Sequence, residues 1–178
     1  DTYFCNLSIF QSLPDSWAID QIFPITPISR LNEEPKRRVV LADITCDSDG
    51  KVERFADLRD IKHYLPAHEL KPGEKYCFAV FLVGAYQEIL GDLHNLFGDT
   101  HTVHVSVTGR NKYHIDKLVE GDLVRDVLGY MQYQKRDLMT MIRRAAEESI
   151  DKRRITIKES TRIQKVLEEG LEGYTYLE

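Results

Sequence analysis

The chain has 178 residues, of which 42% are hydrophobic and 30% charged, so it suits one domain, or one domain with an appendage, around its own core. Its net charge of -5 and the shortness of its basic runs argue against a nucleic-acid-binding protein. No apolar run approaches the ~20 residues that cross a bilayer, so we expect no membrane segment. The three cysteines, Cys5, Cys46 and Cys77, are odd in number and lack metal-type spacing, which favours a reducing, cytoplasmic location.

Short extended segments separated by turns dominate the first third of the chain. It opens at Asp1 without a methionine and runs directly into a strand-like pattern, so we expect a segment of a longer protein. Alternation and turn residues predict four elements. They are a strand over residues 2–10, a short helix over 16–23, an extended edge segment over 23–31 and a strand over 38–46.

The stretch YCFAVFLVGAYQEILGDLHNLFGD, residues 76–99, is the most unusual in the chain. Residues 76–83 are aromatic and β-branched, which predicts a strand buried on both faces. Gly84 and Ala85 then remove side-chain bulk, and Tyr86 places a phenol at the end of that strand. Several polar residues follow among apolar ones, namely Asp92, His94, Asn95 and Asp99. They indicate either a site or the caps and solvated positions of an amphipathic turn or helix.

The last part of the chain changes from strand to helix periodicity. Residues 102–108 alternate, residues 109–111 form a turn and residues 113–119 return, which predicts a β-hairpin. From residue 121, apolar positions recur at helical spacing in three segments. We therefore predict a β-rich body at 1–120 and a helical tail at 121–178.

The run Cys46-Asp47-Ser48-Asp49-Gly50 is a second candidate for chemistry. A thiol at the end of a strand can donate a proton or act as a nucleophile, and the two carboxylates can receive a cation. The structural alternative is a small buried cysteine before an acidic turn. Calcium is a weaker alternative, because Asp43 adds a third carboxylate but the ligand ladder of an EF-hand is missing. The sequence contains no P-loop, GxGxxG, HExxH or GxSxG motif.

Two of these runs resemble a known family when they are taken together. ADITCDSDG at 42–50 and FLVGAYQEILGDLHNLFGDTHTVHV at 81–105 are similar to the C-terminal part of the biosynthetic arginine decarboxylases. These are pyridoxal 5'-phosphate (PLP) enzymes of the alanine-racemase-like fold. Residues 12–21 and 23–31 match the same family, so the resemblance covers most of the chain.

The resemblance implies a mainly β fold, a barrel-like or sandwich-like C-terminal β domain followed by a small helical tail. It also implies that the family's (β/α)8 barrel, which carries most of the cofactor site, is absent from this sequence. Tyr86 corresponds to the tyrosine that binds the PLP phosphate, and Cys46 to the cysteine that enters the neighbouring subunit's site and returns a proton to the α-carbon. Asp47 corresponds to the acid that binds the distal end of the substrate. Asp49 and His94 are expected in the same pocket.

The implied reaction is decarboxylation of L-arginine to agmatine by a homodimer or a higher homo-oligomer. The resemblance also implies a Mg2+ requirement, although no residue here indicates a magnesium site. Two alternatives stay open: a decarboxylase of another basic amino acid or of carboxynorspermidine, and a non-catalytic β module that regulates or assembles.

Overall fold

The β-rich part of the protein is organised around one central strand. The structure is a computed structural model that describes residues 1–177, with the side chain of His94 excepted. β3 (Arg37–Ala42) pairs in parallel with β1 (Thr2–Phe4) and antiparallel with both β4 (Lys51–Val52) and β7 (Leu65–Ala67). Alternate residues of β3 face the core, as the two-residue period of a strand requires.

Two smaller pairs of strands surround this sheet. β2 (Ile25–Pro27) is antiparallel to β8 (Phe78–Val80), and β5 (Phe55–Ala56) is antiparallel to β6 (Ile61–Lys62). Buried apolar side chains from these strands and the first helices form one cluster: Tyr3, Ile9, Leu13, Phe23, Val39, Leu41, Val52, Phe55, Leu65 and Ala67. This part of the chain is therefore built mainly from short strands around an apolar cluster.

The first predicted strand is too long. β1 ends at Phe4, and the chain then forms α1 (Ile9–Ser12), whose N-terminus is capped by the Ser8 hydroxyl accepting from the Gln11 amide. α2 (Pro14–Ala18) begins earlier than the helix predicted over 16–23. Proline is favourable at the first position of a helix, because the backbone N–H that it lacks would have no hydrogen-bond partner within the helix there.

Two other predicted strands are also shorter in the structure. The strand predicted over 38–46 ends at Ala42, so Cys46 lies in a loop beyond the sheet. The strand predicted over 76–83 is only β8, and its three residues are half-buried rather than buried on both faces. Among the described strands β8 pairs with β2, in a two-stranded sheet, and Phe78 and Val80 pack against the buried cluster only in part.

The chain divides into two compact units, one over Asp1–Asn95 and one from Leu96 onward. The second unit contains the predicted hairpin, formed by β9 (Thr102–Gly109) and β10 (Lys112–Val119). Its three helices, also predicted, are α4 (Val124–Tyr130), α5 (Lys135–Asp151) and α6 (Ile157–Leu171). The predicted domain boundary at residue 120 follows the change from strand to helix, whereas compact packing places the hairpin with the helices.

Local signals explain where α6 begins. The Thr156 hydroxyl accepts from the Glu159 amide, and the Glu159 carboxylate accepts from the Thr156 amide at 2.7 Å. The carboxylate also accepts from the Thr156 hydroxyl at 2.8 Å, and the two hydrogen bonds that it accepts from the Thr156 amide and hydroxyl lower the pKa of Glu159. No helix within residues 1–177 is long and apolar enough to cross a membrane.

Candidate functional site

The loop that carries Cys46 is held by a buried carboxylate. Asp43 is 2% exposed and follows β3 directly. Its Oδ2 accepts from the Ile9 amide at 2.9 Å, and its Oδ1 accepts from the amide and hydroxyl of Thr45 at 3.0 and 2.7 Å. Its own amide donates to the Gly50 carbonyl at 2.8 Å. Asp43 therefore fixes both ends of the loop and the start of α1.

Gly50 is required by this arrangement. A Cβ placed on it would lie 2.2 Å from Oδ1 of Asp43, a separation that carbon and oxygen atoms cannot adopt without movement. Because the Asp43 carboxylate is fully engaged, it cannot move aside without losing hydrogen bonds. The glycine that ends the acidic turn is therefore a packing requirement of the loop.

Cys46 is exposed at the tip of this loop. The sequence predicted a thiol at the end of a buried strand, and the structure instead places it four residues beyond the end of β3. Its Sγ lies 2.8 Å from Oδ1 of Asn95, to which the thiol donates. An exposed thiol can meet a substrate or another subunit, whereas a packed one cannot.

The two acidic residues of the loop occupy different environments. Asp47 is half-buried, and its Oδ1 accepts from the Asp49 amide at 3.0 Å, which orients its carboxylate. Asp49 is exposed and also lines a cleft of about 300 Å³ that includes Trp17 and Arg54. The carboxylate of Asp47 is thus the better ordered of the two beside the thiol.

Tyr86 begins α3 (Tyr86–Ile89) and is 75% exposed. The turn before it uses Gly84 at φ 79°, a left-handed conformation that glycine adopts without strain, which explains the glycine singled out in the sequence. The phenol makes no hydrogen bond with any described residue and is available to an external acceptor. The adjacent Gln87 is 4% exposed, so the backbone beneath Tyr86 is anchored.

The predicted site residues lie on two different elements of the structure. Cys46, Asp47 and Asp49 share one loop, whereas Tyr86 lies on α3. The side chain of His94 lies outside the described residues, so its role stays a prediction. Asn95, the partner of the thiol, received no role from the sequence; its one signal was its place among the polar residues that follow Tyr86.

The thiol of Cys5 is partly buried, unlike the exposed thiol of Cys46. Burial raises the pKa of Cys5 to about 11, because the apolar surroundings disfavour the thiolate. The carboxylates of the loop do not form a cation site, because Asp43 is occupied by protein donors. Within the described part of the chain, no group of three or more His, Cys, Asp or Glu residues could hold a metal ion.

Comparisons with known proteins give consistent matches along the chain. Residues 124–177 match the family described as the arginine decarboxylase C-terminal helical extension. The biosynthetic arginine decarboxylases of Gloeobacter violaceus and Bacteroides thetaiotaomicron are each 54% identical to this chain, over 99% and 100% of its length. The chain belongs to the biosynthetic arginine decarboxylase family, as its C-terminal region. The resemblance seen in the sequence is therefore confirmed.

A solved structure supports the same assignment. The crystal structure of the biosynthetic arginine decarboxylase of Campylobacter jejuni matches with a TM-score of 0.84 and 34% identity, over 99% of this chain. The fold class predicted for the family's C-terminal region, mainly β with a small helical tail, is thereby confirmed. The chain spans 28% of both curated relatives and 29% of the C. jejuni chain.

Proposed function

We propose that this chain supplies the C-terminal share of the active site of a PLP-dependent L-arginine decarboxylase. The observation that carries the proposal is the match to arginine decarboxylases over essentially the whole chain, 54% identical to the first relatives. The exposure of Cys46 and Tyr86, the two residues assigned to the chemistry, supports it further. In the reaction the bond between the α-carbon and the carboxylate breaks, CO2 leaves, and a C–H bond forms in its place.

Cys46 provides the proton for that new bond. Its S–H is exposed and its position is fixed by the hydrogen bond to Asn95, so the proton can be delivered at a defined point. The thiolate that remains recovers a proton from solvent, which balances the cycle. Asp47 binds the far end of the substrate, because a carboxylate pairs with the two-pronged donor face of a guanidinium.

Tyr86 fits a role in holding the cofactor. Bound PLP supplies the electron sink for the decarboxylation. The exposed Tyr86 hydroxyl is a suitable donor to one phosphate oxygen of PLP, and the anchored Gln87 fixes the backbone from which it projects. The described residues offer no comparable set for Mg2+, and no step is assigned to that ion.

Cys46 and Asp47 act in the site of a partner subunit, so the working unit is at least a homodimer. Decarboxylation of L-arginine by the complete chain, followed as CO2 and agmatine, tests the activity. Cys46→Ala should lower turnover or divert product while leaving PLP bound, because the proton is needed only after CO2 has left. Unchanged turnover and products would show that Cys46 is not the proton donor. If the complete chain prefers another basic amino acid or carboxynorspermidine, L-arginine is not its substrate.

Mixed dimers test the shared site. Complete chains with Cys46→Ala are combined with complete chains in which the lysine that binds PLP in the family's (β/α)8 barrel is substituted, and subunits are allowed to exchange. Random exchange of equal amounts makes about half of the dimers mixed, and in a two-fold dimer one of the two sites of each mixed dimer is intact. Roughly a quarter of wild-type activity should therefore return. No recovery after verified exchange would place Cys46 in its own subunit's site. A non-catalytic module would show neither activity nor complementation.

A further inference from the structure

The partner of the Cys46 thiol is a residue held in an uncommon conformation. Asn95 lies 49 positions away in sequence, within the short 3₁₀ turn at His94–Leu96, and has φ 62° and ψ 18°. Asparagine tolerates this left-handed region better than most residues other than glycine. The turn therefore points one amide at the thiol, with Oδ1 2.8 Å from Sγ.

The other end of the same amide has no partner. Nδ2 of Asn95 is shielded from solvent and makes no hydrogen bond with the described residues. A buried amide donor left unpaired is uncommon and costs free energy, so its presence requires an explanation. Rotation of the amide by 180° about its Cβ–Cγ bond exchanges the oxygen and the nitrogen without moving the backbone.

We propose that Asn95 is a positioning residue that serves both protonation states of Cys46. This inference rests on the proposed function, in which Cys46 gives its proton to the α-carbon. While the thiol is protonated, its S–H donates to Oδ1. Once the proton has left, the rotated amide directs Nδ2–H at the thiolate, and Asn95 itself neither gains nor loses a proton. The rotation breaks no hydrogen bond between Nδ2 and a described residue, because Nδ2 makes none there.

The charges around the thiol make a neutral donor useful. Asp47 and Asp49 share the loop with Cys46 and oppose a negative charge on sulfur. Asp43, at the base of the loop, is negative as well, and Lys51 on β4 is paired with Glu53 at 2.9 Å. An amide N–H stabilises the thiolate beside these carboxylates. Because the amide is uncharged, it forms no ion pair with Asp47 and does not compete with the substrate's guanidinium for that residue.

Two substitutions of Asn95 separate its chemistry from its backbone role. Asn95→Gly keeps a residue suited to φ 62° and removes the amide. Asn95→Asp keeps the size and the acceptor, removes the donor and adds a charge. In the complete chain without substrate, alkylation of Cys46 by iodoacetamide is followed against pH by peptide mass spectrometry. Cys77, exposed on another segment, is the internal control.

Both variants should move the alkylation profile of Cys46 to higher pH, Asn95→Asp further than Asn95→Gly. The rate at a fixed pH near 8 should fall on the order of tenfold, because the hydrogen bond lost from the charged thiolate is stronger than the weak S–H hydrogen bond lost from the thiol. The Cys77 profile should not move. In turnover, kcat should fall while KM for L-arginine stays within about twofold, because the substrate's distal end is bound by Asp47.

Superimposable Cys46 profiles in the three proteins would overturn the proposal and leave Asn95 as a packing residue. A shift shared equally by Cys77 would also overturn it, since it would report unfolding or a general change. The alkylation readout requires no decarboxylase activity. Failure of the proposed function, seen as an unaffected reaction in Cys46→Ala, is therefore distinguished from failure of this inference.

Discussion

Gln87 and Asp15, 72 residues apart in sequence, exchange two hydrogen bonds. The Asp15 amide donates to Oε1 of Gln87 at 3.1 Å, and Nε2 of Gln87 donates to Oδ2 of Asp15 at 2.5 Å. This pair joins the first turn of α2 to α3, immediately after Tyr86. The amide of Asp92 adds a hydrogen bond to the Phe10 carbonyl at 3.0 Å. The segment that carries Tyr86 is therefore held by residues from the first part of the chain.

Gln87→Ala should loosen α3. The substitution leaves the Asp15 amide and carboxylate without their partner in a half-buried place, so unfolding free energy should fall by about 2 kcal/mol. Hydrogen–deuterium exchange of residues 86–90 should quicken, because their link to α2 is lost. Equal exchange rates in the two proteins would mean that α3 is held by other contacts.

A charge swap provides the matched control for that pair. Gln87→Glu places a second carboxylate beside Asp15 and should be more destabilising than its size suggests. Adding Asp15→Asn should restore part of the loss, because an asparagine amide can donate to the new glutamate. A double-mutant cycle with no coupling between the two positions would contradict the pairing.

Asp43→Asn should destabilise the protein strongly. The asparagine offers one acceptor oxygen where the carboxylate offers two, and its NH2 group would face N–H donors of Ile9 or Thr45. We expect a loss of about 3 kcal/mol, measured by chemical denaturation. Asp49→Asn, at an exposed position of the same loop, should change stability by less than about 0.5 kcal/mol. Similar losses for the two variants would mean that Asp43 is not the residue that holds the loop.

Periodic patterns in the sequence predicted those elements whose structure depends mainly on residues close in sequence. The hairpin and the three C-terminal helices were predicted correctly, because alternation and helical spacing extend over eight or more residues there. The strand predicted over residues 2–10 was too long, because the apolar residues Ile9 and Phe10 fit the pattern of a strand as well as that of a helix. What makes them helical is the Ser8 cap and the hydrogen bond from the Ile9 amide to Asp43, 34 residues away.

The site shows the same division between local and distant information. The motif around Cys46 and the one around Tyr86 are recognisable as sequences, and both residues are exposed as a site requires. The role proposed for Asn95 could not be predicted, because its hydrogen bond with Cys46 joins residues 49 positions apart and a single sequence does not reveal such a contact. The buried state predicted for residues 76–83 was wrong, because an apolar composition does not reveal how completely a strand is covered.

The thiols should react selectively with alkylating agents. The thiolate is the nucleophile, and the pKa of Cys5, raised to about 11 by burial, leaves almost none of it at pH 8. Cys46 and Cys77 are exposed, so both should be modified first. Mass spectrometry of digested protein should show Cys5 modified slowly below pH 10 and faster as pH approaches 11. Addition of denaturant should expose Cys5 and remove the difference, whereas equal native rates at pH 8 would contradict the burial of Cys5.

Tyr86→Phe should weaken retention of PLP by the complete chain. The substitution removes only the hydroxyl, and loss of one hydrogen bond of about 1 kcal/mol corresponds to roughly a fivefold rise in the Kd for PLP. Equilibrium dialysis of the apoenzyme, followed by cofactor absorbance, measures that change without relying on turnover. Tyr113→Phe is the matched control, because Tyr113 is 70% exposed on the hairpin and has no assigned role. If the two variants retain PLP equally well, the Tyr86 hydroxyl does not reach the cofactor, and its exposure serves contacts with another part of the protein.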